Sequence, residues 1–285
     1  MTAMTAEVAD RPRFEVWGDP IAHSLSPRIH SAAYERLGWD WAYGRRQVAA
    51  AAFGGELERT ETSLRGLSIT FPLKTEAHRA ATSRDGTAEL TGAVNTLVLA
   101  EGRRLGFNTD VGGIVADVRS LGIETAEIAR IVGAGATATS ALVALAHLGA
   151  RAVDVVARRP DAAAHLVALG KRLAVAVAVV PPETAAAASV PLTISTLPGG
   201  AVLPAEAADR LAAGGGLLYD VVYGHWPTPL AEAWGRAGAP AVDGRGMLLR
   251  QAVLQIRAFA TGEVTQPLPD EEDVVAVMRS ALMGD

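Results

Sequence analysis

The sequence has no cysteine in its 285 residues. A disulfide framework, a thiolate metal site and a thiol nucleophile are therefore excluded, and a reducing compartment suits the chain. No apolar run reaches the roughly 18–20 residues that a membrane-spanning helix needs. The net charge of −5 lacks the basic excess expected of a nucleic-acid-binding surface. We therefore expect a cytoplasmic protein whose partner is a small molecule, with no nucleic acid and no membrane involved.

The composition is that of a globular protein, with 49% hydrophobic and 20% charged residues, and the length suits two domains. Residues 1–12 contain acids and no apolar core, so we expect a loose N-terminal tail and not a signal peptide. No histidine pair, metal-ligand cluster or serine–histidine spacing stands out, and no metal site is predicted.

Polar residues in the first half of the chain lie where short strands give way to helices. Ser26 precedes Pro27 and an apolar helical face, which is typical of an N-cap, so capping alone and ligand binding are both open for it. Ser24 has no such structural explanation. Two hydroxyl groups beside the free N–H groups of a helix N-terminus form a suitable site for a carboxylate.

Three further residues are candidates for chemistry. Lys74 begins a predicted helix, where the helix dipole favours an acid, so a solvated lysine and a functional one are both open. Asn95 lies in an apolar β-run and must find hydrogen bonds, either to backbone or to a ligand. Asp110 follows the return strand of a hairpin, next to the glycine pair at 112 and 113.

The second half begins with a pattern typical of dinucleotide binding. A buried strand, Ile128 to Val132, leads into Gly133-x-Gly135-x-x-Ala138 and a helix, where pyrophosphate binds close to backbone N–H groups. The next strand ends before Arg158 and Arg159, and no acid is there for the ribose hydroxyl of NAD. The two arginines suit a 2′-phosphate, which predicts NADP. Further along, alanine-rich Glu183 to Ser189 is predicted to be a short helix.

An ordered set of motifs resembles the shikimate dehydrogenase family. The matching segments are Gly18-Asp19-Pro20-Ile21-Ala22-His23-Ser24-Leu25-Ser26-Pro27, Ser68-Ile69-Thr70-Phe71-Pro72-Leu73-Lys74, Gly92-Ala93-Val94-Asn95-Thr96, Asn108-Thr109-Asp110, the glycine turn at Gly133, Tyr219-Asp220-Val221-Val222-Tyr223 and Gly246-Met247-Leu248-Leu249-Arg250-Gln251-Ala252. The resemblance implies reversible NADP-dependent reduction of 3-dehydroshikimate to shikimate. It also implies an α/β protein of two lobes with a cleft between them: a substrate-binding domain of residues 13–110 plus 246–285, and a Rossmann-type NADP-binding domain of residues 111–245.

The resemblance also implies roles for individual residues. Lys74 and Asp110 are the catalytic pair. The substrate-binding residues are Ser24, Ser26, Thr70, Asn95, Tyr223 and Gln251. The cofactor-binding residues are Gly133, Ala134, Gly135, Ala136, Thr137, Arg158, Arg159, Val221 and Gly244.

The chain departs from the family pattern at two places. The second motif usually has asparagine where this chain has Ser68, and the usual asparagine-arginine-threonine is Ala157-Arg158-Arg159 here. Three alternatives stay open: Tyr223 as a buried tyrosine with an internal partner, an enzyme acting on quinate or another hydroxylated cyclic acid, and a non-catalytic dinucleotide-binding sensor. A monomer and a homodimer are both compatible with the sequence.

Overall fold

A computed structural model describes residues 11–284. The predicted tail therefore lies outside the described residues as far as residue 10. Arg11 and Pro12 are described and are bound to the following sheet: the Arg11 guanidinium pairs with Asp40 at 2.8 Å, and the Pro12 carbonyl accepts from the Ala42 N–H.

The first of two six-stranded sheets is mixed. β1 is central to a parallel set with β2 and β3, and β5 runs antiparallel to both β3 and β6. The order across the sheet is β2-β1-β3-β5-β6-β4. Its strands are β1 (Arg13–Gly18), β2 (Ala42–Gln47), β3 (Gly66–Ile69), β4 (Ser83–Arg84), β5 (Thr96–Ala100) and β6 (Arg103–Phe107).

The second sheet is parallel throughout, in the order β12-β11-β10-β7-β8-β9. Its strands are β7 (Ile128–Val132), β8 (Ala152–Val156), β9 (Ala176–Val180), β10 (Leu192–Ser195), β11 (Leu217–Asp220) and β12 (Ala241–Val242). The strand order reverses between β7 and β10, and in such sheets the ligand crevice lies at that switch point, beyond the carboxyl ends. The predicted α/β class with a Rossmann-type second half is confirmed.

Eleven α-helices connect or flank these strands within residues 11–284. They are α1 (Ser26–Leu37), α2 (Phe53–Thr60), α3 (Lys74–Ala80), α4 (Gly86–Thr91), α5 (Thr109–Ser120), α6 (Ala136–His147), α7 (Ala164–Arg172), α8 (Ala205–Ala213), α9 (Pro229–Arg236), α10 (Arg245–Thr261) and α11 (Glu271–Met283).

Helices α5 and α10 pack against each other between the two sheets. Two glycines on α5 make their close approach possible. A Cβ on Gly113 would lie 2.8 Å from the Gln251 Cβ, and one on Gly112 would lie 2.6 Å from Leu254. The glycine pair therefore brings Gln251 of α10 close to the N-terminal turn of α5.

The predicted helix over Glu183–Ser189 is wrong. The segment is a turn followed by chain without regular secondary structure, in spite of its alanine content. Two of its carbonyl groups, at Ala186 and Ala188, accept from the guanidinium of Arg130 at 3.2 and 3.1 Å. Arg130 is buried on β7, and these acceptors hold its charged group. The hydrogen bonds that the buried guanidinium requires outweigh the local helix propensity of alanine.

A partly buried ion pair joins the edge strand β2 to β1 and gives a pH-dependent prediction. Glu15 of β1 accepts from Arg46 at 2.9 and 3.1 Å and from the Trp17 indole at 2.8 Å. Burial acts to raise the pKa of Glu15, but these hydrogen bonds and the charge of Arg46 outweigh it and lower the pKa below 4.5. Glu15 therefore stabilises the fold above that pH, and its contribution is lost as the pH falls through the folded-state pKa.

We expect Glu15→Gln to lower the free energy of unfolding by about 1–2 kcal/mol at neutral pH, because hydrogen bonds to a charged group are lost. The difference from wild type should shrink below pH 4.5. Urea unfolding at a series of pH values measures it, with exposed Glu58→Gln as the control. Parallel pH profiles for wild type and Glu15→Gln would contradict this prediction.

Candidate active site

Lys74 and Asp110 form an ion pair. The Lys74 Nζ donates to the Asp110 Oδ2 at 2.6 Å, and the two side chains are only 13% and 6% exposed. Lys74 is the first residue of α3, an unfavourable position for a cation. The nearby carboxylate offsets that cost. The alternative of a solvated surface lysine is therefore wrong.

Asp110 is held in place from its backbone as well. It lies in the first turn of α5, where a negative charge is favoured by the helix dipole, and the N-cap Asn108 accepts from its N–H at 3.1 Å. The Asn108 amide also donates to Thr91 and to the Ala93 carbonyl, and to Ser140 of α6 at 3.1 Å. The start of α5 is therefore fixed against both the first sheet's loops and the helix that follows the glycine turn.

Asn95 supplies the second anchor of the carboxylate. Its amide nitrogen donates to the Asp110 Oδ1 at 2.8 Å, to Thr109 at 2.9 Å and to the Gln251 Oε1 at 3.2 Å. Its amide oxygen accepts from the Thr109 N–H at 2.8 Å and from Thr96 at 2.9 Å. The hydrogen bonds that a buried asparagine requires are thus all made within the site. The Asp110 carboxylate thus accepts from Lys74 through one oxygen and from Asn95 through the other.

The two serines at the start of α1 are close together, but Ser26 is not the N-cap that its place before Pro27 suggested. Ser26 is already helical, Leu25 is the N-cap, and no side chain caps the helix there. It is the Ser24 hydroxyl that accepts from the Ser26 N–H, at 3.3 Å. Proline in the second helical position needs no acceptor, so the serine before it can enter the helix. Ser26 is buried and Ser24 is half-buried.

Thr70 and Tyr223 follow strands of different sheets. Thr70 follows β3 and lies against the end of β1, where a Cβ on Gly18 would be 2.4 Å from its methyl group. Tyr223 follows β11 of the second sheet yet packs in the core cluster of the first. Burial raises the pKa of Tyr223, and a hydrogen bond from the Leu25 backbone opposes that shift. Tyr223 is half-buried there, and its phenol stays protonated.

The glycine turn lies at the switch point of the second sheet. Gly133 has a φ of 111°, which favours glycine, and a Cβ there would be 2.5 Å from the Thr196 hydroxyl. Gly135 is the N-cap of α6, so Ala136 and Thr137 begin that helix and its first N–H groups lack intrahelical acceptors. Ala134 is half-buried and Gly135 is exposed. The turn has the backbone conformation and the free N–H groups that a pyrophosphate requires.

The remaining predicted cofactor residues lie at the ends of neighbouring strands. Arg158 and Arg159 are exposed just beyond β8, and in the described part of the chain neither pairs with an acid. The end of β8 is next to the turn, because the Gly133 N–H donates to the Val156 carbonyl at 2.9 Å. Gly244 lies against β11's end, where a Cβ would be 2.1 Å from the Val221 carbonyl oxygen.

Comparison with known proteins decides the family. The model of the shikimate dehydrogenase substrate-binding domain matches residues 16–97. A shikimate dehydrogenase (NADP(+)) of Acidovorax sp. (strain JS42) is 37% identical over 248 residues, covering 83% of this chain and 86% of that protein. The chain belongs to the shikimate dehydrogenase family.

Solved structures agree with this. The shikimate dehydrogenase of Mycobacterium tuberculosis is 37% identical with a TM-score of 0.83, over 96% of this chain and 100% of that one. The enzyme of Thermus thermophilus, solved in complex with NADP(H) and shikimate, is 31% identical with a TM-score of 0.78, over 95% and 99%. The resemblance found in the sequence motifs is therefore confirmed.

Several residues of the site were missed from the sequence. Thr109 and Asn108 organise the Asn95–Asp110 contact, and both belong to a motif in which only Asp110 had been singled out. Gln255 is one helical turn beyond Gln251, on the same face of α10, and that spacing was the available signal. Tyr43 gave none.

Two absences concern the described residues alone. Among residues 11–284, no helix combines the length and apolar character needed to cross a bilayer. In the same range, no group of three or more histidine and acidic side chains is arranged so that it could hold a metal ion.

Proposed function

We propose that the protein catalyses the reversible, NADPH-dependent reduction of 3-dehydroshikimate to shikimate, in the pathway to aromatic amino acids. The observation that carries the proposal is the 2.6 Å pair of Lys74 and Asp110, joined to Asn95 and Gln251 where α3, α5 and α10 meet. The relatives named as NADP(+)-dependent shikimate dehydrogenases support it. So does a neighbour solved with NADP(H) and shikimate.

The chemistry explains why these groups are needed. Bound NADPH supplies a hydride to the substrate ketone. Negative charge develops on the ketone oxygen, and Lys74 stabilises that charge and donates the proton. Asp110 holds the ammonium group in position and accepts a hydrogen bond from a substrate hydroxyl. In the oxidation direction Lys74 takes the proton back.

The other polar residues orient the substrate in this proposal. Asn95 and Gln251 border the Asp110 carboxylate, and in the complex they contact the ring hydroxyls in exchange for the 3.2 Å hydrogen bond that now joins them to each other. Ser24, Ser26, Thr70 and Tyr223 gather round the carboxylate. Tyr223 suits this task because its half-buried phenol stays protonated and can donate a hydrogen bond.

The proposal also divides the chain into two domains. Residues 13–110 and 246–285 form the substrate-binding domain, and residues 111–245 bind NADP, with a cleft between them. Separate core clusters on the two sheets support this division. The turn formed by Gly133, Ala134, Gly135, Ala136 and Thr137 would hold the pyrophosphate, and backbone at Val221 and Gly244 would line the nicotinamide side.

Arg158 and Arg159 give a test of cofactor choice. Replacing both with alanine should raise the KM for NADP about 10- to 100-fold, because two guanidinium contacts to the 2′-phosphate are lost. The kcat/KM with NAD should change little. Initial rates with both cofactors measure this, with Arg151→Ala at the opposite end of β8 as the control. Equal losses with the two cofactors would contradict a role at the 2′-phosphate.

The function itself is tested by a matrix of two cofactors and two substrates, followed by nicotinamide absorbance. The proposal requires the highest kcat/KM for shikimate with NADP. Strong oxidation of quinate with NAD would favour the relative that acts on other cyclic acids. Tight NADP binding without turnover would favour a non-catalytic sensor. A cytoplasmic location and a monomeric or homodimeric state stay predictions.

A further inference from the structure

Asp117 is a buried carboxylate that the proposed mechanism does not use. It lies on α5, and its Oδ2 accepts from the phenol of Tyr219 at 2.7 Å. Burial, and after it the nearby charge of Asp117, raise the pKa of Tyr219 well above its ordinary value, so the phenol keeps its hydrogen and donates it. Asp117 needs such a donor, because a buried charge without a partner is costly. The hydrogen bond joins α5 directly to β11 of the second sheet.

The same carboxylate lies against the start of α10. A Cβ on Gly246, the second residue of that helix, would be 2.1 Å from the Asp117 Oδ2 and 2.2 Å from its Oδ1. Glycine therefore leaves the space that the carboxylate occupies, at a helix N-terminus that favours negative charge. Asp117 thus brings three elements together: its own helix α5, the strand β11 and the first turn of α10.

The Asp117–Tyr219 hydrogen bond connects the elements that carry the substrate side and the cofactor side of the proposed site. Asp110 of the catalytic pair and Asp117 lie on one continuous helix, about two turns and ~10 Å apart along the same side. Val221, on the proposed nicotinamide side, follows Tyr219 by two residues at the end of β11. The position of Asp110 relative to Val221 therefore depends on how α5 is held against β11.

We propose that Asp117 and Tyr219 are positioning residues, whose hydrogen bond sets the distance between the Lys74–Asp110 pair and the nicotinamide-side backbone at Val221. The inference rests on the proposed function, since it needs hydride transfer between a substrate at that pair and a nicotinamide beside that backbone. Both residues act through the elements that they join. A shift of α5 relative to β11 by about 1 Å would move the substrate carbon away from the hydride donor, and a misplacement of that size can cost about 10²-fold in rate.

A purely structural role for this hydrogen bond is the competing explanation, and Tyr34 provides the matched control. Tyr34 is also a buried tyrosine, but its hydroxyl has no hydrogen-bond partner among the described residues. Tyr34→Phe therefore removes a buried hydroxyl without a partner, whereas Tyr219→Phe removes one that donates to Asp117. Asp117→Asn provides the conservative variant, because its amide oxygen can still accept from Tyr219.

The experiment measures kcat, and the deuterium isotope effect on it, with shikimate labelled at the carbon that is oxidised and with saturating NADP. Tyr219→Phe should lower kcat about tenfold and enlarge the isotope effect, because hydride transfer becomes slower relative to product release. The KM values for shikimate and NADP should change less than about threefold, since the binding groups of both sides remain. Asp117→Asn should keep kcat within about threefold of wild type, and Tyr34→Phe should match wild type in every measurement.

The isotope effect separates positioning from a loss of folded protein, because a ratio of two rates does not depend on the fraction of enzyme that is folded. An active Tyr219→Phe enzyme with the kcat and the isotope effect of wild type would overturn the inference. A lower kcat with an unchanged isotope effect would overturn it too, since that result is the one expected of a purely structural role.

The double variant Tyr219→Phe/Asp117→Leu provides a second approach if Tyr219→Phe folds poorly. It leaves neither the charge nor the hydroxyl buried without a partner, and replacing both partners by apolar groups can be nearly neutral for stability. It should show the same lower kcat and the same enlarged isotope effect, and wild-type values in it would overturn the inference alone. A wild type that fails to oxidise shikimate with NADP would overturn the proposed function as well.

Discussion

Lys74→Ala is expected to lower the kcat of shikimate oxidation about a thousandfold, with a much smaller change in KM. General acid–base groups contribute roughly 10²–10⁴-fold to rate, and Lys74 is the proposed proton donor. Its amine is paired with Asp110 at 2.6 Å and is largely shielded from water, so water would replace it poorly. Binding should change less because the ring-hydroxyl contacts proposed for Asn95 and Gln251 remain.

The matched control is Lys171→Ala. Lys171 is the only other lysine in the sequence and is exposed on α7, so its removal should leave kcat at the wild-type value. Steady-state rates with saturating NADP, together with an unfolding midpoint, separate lost chemistry from lost folding. A kcat for Lys74→Ala within about threefold of wild type, only ~0.7 kcal/mol in activation free energy, would exclude Lys74 as the catalytic group.

Asp110→Asn is expected to lower kcat about a hundredfold or more. The substitution keeps the shape of the side chain but removes the charge that holds the Lys74 ammonium group. The new amide group would face two donors, the Asn95 Nδ2, which now donates at 2.8 Å to the Asp110 Oδ1, and the Lys74 Nζ. Its own NH2 group must point at one of them, so one of the two contacts becomes repulsive. Lys74, whose side chain is only 13% exposed, is then a cation without a partner, which is costly.

Non-additivity distinguishes a working pair from two separate contributions. The double variant Lys74→Ala/Asp110→Asn should be about as slow as Lys74→Ala alone, because residues acting as one unit are lost together. Asp209→Asn, an exposed acid on α8 that pairs with Arg236, is the control for the charge change. A normal turnover number for Asp110→Asn, or losses that multiply, would remove Asp110 from the pair.

Local sequence chemistry predicted the features that depend on neighbouring residues. Gly133 was expected at a tight turn before a helix, and its φ of 111° meets that expectation. Lys74 at a helix start and Asn95 in an apolar run were both locally unfavourable choices. The tertiary structure explains both choices, since the two side chains meet on Asp110.

Contacts between distant parts of the chain determine the features that local patterns could not predict. The alanine-rich segment at 183–189 lost its helix because its carbonyls bind a buried guanidinium that is more than fifty residues away in sequence. Tyr43 and Gln255 meet Ser68 across 25 and 187 residues of chain, so no local pattern could connect them. Gln251 entered the prediction only through the family motif.

The structure of a ternary complex with NADP and shikimate tests the central claim most directly. The Lys74 Nζ should lie about 3 Å from the substrate oxygen that is oxidised, with the nicotinamide ring on the other side of its carbon. Asp110 should contact both Nζ and a neighbouring ring hydroxyl. A substrate bound with its carboxylate against Lys74, or a nicotinamide ring remote from this pair, would contradict the mechanism.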